Sequence, residues 1–101
     1  MSAQTRLTLV VLVDVAREGV DAFQRYEAAV LPLLERHDGR LERRLRTADG
    51  QAEVHVLSFG SRVGYDAYVA DPERAGHRAM LDGVAISQRL LEVIDVNELR
   101  P

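Results

Sequence analysis

The chain has 101 residues, 47% hydrophobic and 29% charged, a balance that suits one folded domain with one core and excludes a disordered chain. A formal net charge of −3 argues against nonspecific binding to nucleic acid or to an anionic membrane, both of which need a cationic surface. Cysteine is absent, which removes disulfides, thiolate metal sites and cysteine nucleophiles. The amino terminus, Met1-Ser2-Ala3-Gln4-Thr5-Arg6, shows no basic region followed by an apolar segment and a cleavage site, so a cytoplasmic location is the default expectation. The apolar run from Leu7 to Val13 is too short to span a bilayer.

The first predicted element is a strand from Leu7 to Val15. Leu7, Leu9, Val11 and Val13 alternate with Val10 and Leu12, so both faces are apolar, the pattern of a strand buried on both sides. Glu18-Gly19 breaks it. A helix is expected from about Val20 to His37, because Val20, Phe23, Tyr26, Val30, Leu33, Leu34 and His37 recur at three-and-four spacing. Pro32 falls inside that pattern and should kink or split the helix. Gly39 supplies the left-handed residue past its end.

The second strand, about Arg40 to Thr47, has Leu41 and Leu45 as its strongly apolar residues, expected on one face, and its arginines mark a sheet edge. Asp49-Gly50 signals a hairpin leading into a third strand, Ala52 to Phe59, which again is apolar on both faces. A second helix begins near Ser61 with Tyr65, Tyr68 and Val69 inward. It restarts at Asp71-Pro72-Glu73, with Asp71 as cap and Pro72 in the first turn, and Met80, Leu81 and His77 on the inner side. A fourth strand runs from about Gln88 to Val96, apolar on both faces.

The order β-α-β-β-α-β implies one ferredoxin-like α+β domain over residues 1–101. Right-handed crossovers place the first and third strands centrally and the second and fourth at the edges of an antiparallel sheet. Two helices cover one face of such a sheet. The apolar residues on the other face then call for a partner, and a symmetric homodimer packed sheet on sheet is the simplest.

This layout, together with Phe23-Gln24-Arg25-Tyr26-Glu27, Leu31-Pro32-Leu33-Leu34, Asp38-Gly39-Arg40 and Val56-Leu57-Ser58-Phe59, resembles the dimeric α+β barrel superfamily over residues 7–97. Within it the chain is similar to a bacterial family of uncharacterised ferredoxin-like domains, and more distantly to the antibiotic biosynthesis monooxygenase-like proteins. The resemblance implies a pocket between helices and sheet for a small aromatic or apolar metabolite. The activity it implies is cofactor-independent monooxygenation or isomerisation, and a non-catalytic binding or assembly module is the alternative. Because this fold hosts many chemistries, the residues have to argue for any one of them.

Three residues are candidate proton-transfer groups. His55 reads either as an acid or base at a cavity or as a hydrogen-bonded core or interface histidine. Asp14 ends the first strand and reads as a cavity-mouth base or as an exposed strand-end carboxylate. His77 reads as a third base or as a surface or pocket-rim histidine. The stretch Tyr68 to His77 is similar to the part of haem-degrading members that carries a haem-ligating histidine, but the tryptophan and first-strand asparagine of those members are missing, so no cofactor is expected. Phe23, Tyr26, Tyr65 and Tyr68 read as pocket-lining residues for a flat ligand or as packing residues of helix faces. His37 reads as structural, and the three histidines have no spacing that makes a metal site. Gly60 and Gly64 stand apart, and no Gly-x-Ser-x-Gly or His-Glu-x-x-His occurs, which disfavours nucleotide and metal-hydrolase classes.

Overall fold

The computed structural model describes residues 6–98; the reading of the first five residues as free of a targeting signal lies outside them. Four antiparallel strands form one sheet, β1 (Leu7–Val15), β2 (Gly39–Arg46), β3 (Ala52–Phe59) and β4 (Ile86–Val93), in the order β2-β3-β1-β4. The expected central and edge strands are found in those places. Along β1, Leu7, Leu9, Val11, Val13 and Val15 are buried under the helices, in register with Phe59, Leu57, His55 and Glu53 of β3. Phe59 is fully enclosed at 0% exposure.

Helix α1 (Val20–Val30) lays Phe23, Tyr26, Glu27 and Val30 on the sheet. It ends earlier than the apolar stripe suggests, because Pro32 lacks the N–H that an α-helix would need there. The chain continues as a 3-10 helix, Leu31–His37, that still buries Leu33 and Leu34. The left-handed residue after it is Asp38 (φ 60°), not Gly39. Gly39 is required for a different reason: a Cβ there would lie 2.6 Å from Cε1 of Phe59, inside the ring that closes the core. Gly50 does take a positive φ, 76°, in the predicted hairpin turn.

Helix α2 (Arg62–Val69) and the short α3 (Pro72–Gly76) follow β3, and a 3-10 turn, His77–Leu81, brings the chain back beside α1. Asp71 caps α3 by accepting from the Glu73 amide (2.8 Å), as its place before Pro72 predicted. The same carboxylate accepts from Nε2 of His37 (2.7 Å) and from Arg36 (3.0 Å), which ties the 3-10 helix to α3. Leu81 packs on the core as expected, whereas Met80 is 42% exposed and faces out.

Two strand readings are corrected. β4 stops at Val93, so Ile94 and Val96 lie beyond the sheet and are exposed. In β2 a bulge between Leu41 and Arg43 adds a residue, which reverses the alternation. Leu41 therefore pairs with Leu57 on the helix side, and Leu45 pairs with Val54 on the other side. The bulge also turns Arg44 and Arg46 toward His55 and Glu53. The face away from the helices carries Val10, Leu12, Val54, Val56, Leu91 and Val93, all half-buried, with Leu45 at 46% exposure. No helix among the described residues is long and apolar enough to cross a membrane.

Candidate active site

A cavity of about 440 Å³ lies between the helix side of the sheet and α1, α2 and α3. Its floor is Val11 and Val13 of β1, His55 and Leu57 of β3, and Gln88 and Leu90 of β4. Leu90 keeps 42% of its surface exposed, so the cavity opens over that edge strand. Phe23, Tyr26, Tyr65 and Tyr68, the four residues read as possible ligand contacts, all line it. Tyr65 stands edge-on to Phe59 with centroids 5.6 Å apart. Tyr68 points its hydroxyl toward the Val30 carbonyl (3.4 Å) and lies under the guanidinium of Arg74, 4.7 Å from the ring centre. Burial pushes the Tyr68 phenol up, and Arg74 pulls against it.

Of the three proton-transfer candidates, only His55 reaches this cavity. Asp14 is exposed on the opposite face of the sheet, because it lies one residue out of phase with Val13 and Val15. His77 starts the 3-10 turn beyond α3 and is not part of the cavity wall. No group of three or more His, Asp or Glu side chains among the described residues is arranged to hold a metal ion.

His55 is 3% exposed and sits between two carboxyl groups. Nε2 is 2.7 Å from Oε1 of Glu53, and Nδ1 is 3.8 Å from Oε2 of Glu27. Glu53 also accepts from Arg44 Nε (2.7 Å), Arg44 NH2 (3.2 Å) and Arg46 Nε (2.7 Å). Burial would raise the Glu53 carboxyl, but the hydrogen bonds from Arg44, His55 and Arg46 together outweigh it and hold the group down at about 2. A fixed carboxylate at Nε2 selects the Nε2–H tautomer of the neutral ring. The Nδ1 lone pair then faces Glu27.

Glu27 is the residue that sequence reading missed. It is buried on α1 and lines the cavity. Burial lifts its carboxyl from 4.5 to about 7; Arg44 and Arg74 oppose the rise and Glu53 adds to it. The signal was present in the spacing: Glu27 follows Phe23 by four residues and precedes Val30 by three, so it occupies a core position of the apolar stripe. Glu27 also touches a second, more open cleft of about 690 Å³ beside β2, lined by Arg6, Glu35, Asp38, Arg40 and Arg44.

No protein-family model matches the sequence, and no curated protein matches it. Solved structures do. A "putative antibiotic biosynthesis monooxygenase" from Nitrosomonas europaea superposes with TM-score 0.75 at 16% identity, covering 95% of each chain. A protein from Caulobacter crescentus with the same name gives TM-score 0.69 at 9% identity over 92% of this chain and 93% of that one. Rv0793 from Mycobacterium tuberculosis gives 0.66 at 18% identity over 90% and 97%. The chain shares the ferredoxin-like α+β fold of antibiotic biosynthesis monooxygenase-like proteins. At these identities the likeness establishes the fold alone.

Proposed function

We propose that the chain binds a small, flat, largely aromatic metabolite in the cavity and that the Glu27–His55 pair moves a proton to or from it. The observation that carries this reading is a buried carboxyl held near neutrality beside a buried imidazole, on the wall of a mostly apolar cavity. Abstraction of a proton from a phenol or an activated carbon is the opening step of both cofactor-free oxygenation and double-bond isomerisation. It needs a base whose pKa lies near the working pH. Glu27 meets that condition, and His55 receives or returns the proton through Nδ1 while Glu53 keeps its ring in place. The solved neighbours named as monooxygenases support the oxygenation branch.

The test is exchange of the acidic C–H of 2-indanone for deuterium in D₂O, followed by proton NMR at pD 7. The protein should accelerate exchange, and Glu27→Gln and His55→Asn should each remove roughly a hundredfold or more of that acceleration. If 2-indanone shifts the resonances of the cavity residues but exchanges no faster than in buffer, the chain is a binding module. If it neither shifts them nor exchanges, the cavity reading falls.

We further infer a homodimer joined through the face away from the helices, where the half-buried Val10, Leu12, Val54, Val56, Leu91 and Val93 adjoin one another. Native mass spectrometry should show a species at twice the 11.3 kDa chain mass. A monomer at micromolar concentration would remove this inference.

A further inference from the structure

Among the described residues, the Nε of Arg74 is the only buried side-chain nitrogen or oxygen without a hydrogen-bond partner. A buried guanidinium N–H left unpaired costs stability. Arg74 lines the cavity, and its guanidinium is set against the Tyr68 ring, 4.7 Å from its centre. Its position is firm because α3 starts at Asp71, which His37, Arg36 and the Glu73 amide all hold. Arg78 lines the same cavity four residues on. Neither arginine forms a salt bridge within the described residues. Neither nearby carboxyl is in salt-bridge contact with them, although the Arg74 charge acts on Glu27 from a distance. Glu53 is committed to Arg44, Arg46 and His55, and Glu27 faces His55.

We infer that the cavity takes an anionic aromatic ligand, a planar carboxylate whose acid group is received by Arg74 with Arg78 beside it. A carboxylate matches the planar fork of a guanidinium, and each N–H···O⁻ bond is stronger than its neutral counterpart. The ring would then lie over Val11, Val13 and Leu57 and between the tyrosines, with its far edge toward Glu27 and His55. This assignment rests on the reading of the cavity as a small-molecule site and narrows its substrate class to acids.

The experiment compares 1-naphthoate with its neutral isostere 1-naphthamide, by calorimetry and by NMR shifts of cavity residues at pH 7.5. The carboxylate should bind roughly tenfold or more tightly than the amide, the worth of one charge-assisted hydrogen bond. Arg74→Gln should bring that ratio close to one by weakening the carboxylate far more than the amide. Arg78→Gln should lower it by a smaller factor, and it also serves if Arg74→Gln does not fold. Equal binding of both probes by the unaltered protein, or a ratio unmoved in Arg74→Gln, overturns the anion site and leaves the cavity as a neutral-ligand site. Failure of both probes to shift cavity residues overturns the cavity reading itself, and the anion site with it.

Discussion

Two buried glutamates flank His55, and their surroundings drive them apart. The corner of β2 and β3 around Glu53 is a closed network, with two arginines and an imidazole donating to one carboxylate, which stays ionised down to about 2. The wall of α1 around Glu27 offers burial without donors, and the carboxyl there rises to about 7. The same side chain is thus a structural anion in one place and a proton-exchanging group a few ångströms away. Burial acts on both; the number of hydrogen-bond donors decides the outcome.

The largest expected effect tests the closed network. Glu53→Gln leaves Arg44 and Arg46 without their anion and should cost about 3 kcal/mol in urea unfolding at pH 7. A loss under about 1 kcal/mol would mean that the network is solvated and contributes little. The network also has an acid limit. The folded carboxyl titrates near 2 against an ordinary 4.5, so its contribution is complete above about 4.5 and is lost as pH falls through about 2.

The Glu27 side of the comparison has the opposite sign. Its folded pKa of about 7 lies above the ordinary 4.5, so the folded state binds the proton more tightly and stability falls as pH rises from about 4.5 to about 7. Glu27→Gln should therefore stabilise the protein at pH 8 by about 2 kcal/mol, with the gain vanishing near pH 4.5, while it abolishes proton exchange. Carbon-13 NMR of the glutamate side chains should show one carboxyl titrating near neutrality that disappears in Glu27→Gln. A Glu27 titration near 4.5 would erase the distinction between the two sites. The smallest effect separates the two arginines: Arg46 is 41% exposed and Arg44 26%, so Arg46→Ala should cost about 0.5 kcal/mol and Arg44→Ala more.

Much of the fold was legible in local pattern. The double alternation of β1 and β3 predicted central strands, Asp49-Gly50 predicted the hairpin, and Asp71-Pro72 predicted the start of α3. The failures share a cause. Leu41 and Leu45 were assigned one face because strand period assumes no inserted residue, and the bulge is a property of how β2 pairs with β3. Asp38 takes the left-handed turn because Gly39 is needed beneath Phe59, a contact across twenty residues of chain that no local rule contains. Asp14 and His55 both read as proton-transfer candidates, yet alternation along paired strands puts them on opposite faces.

The sequence by itself determined the order of elements, the layers they form and the apolar face left without a helix, since these follow from periodicity and turn chemistry within short windows. Tertiary structure alone decided which carboxyl carries a proton near neutrality. The pKa of Glu27 depends on Arg44, Glu53 and Arg74, which come from three other elements, and on a burial that exists only once the sheet is covered. Electrostatic energy is set by distance and solvent in space, and neither is written along the chain.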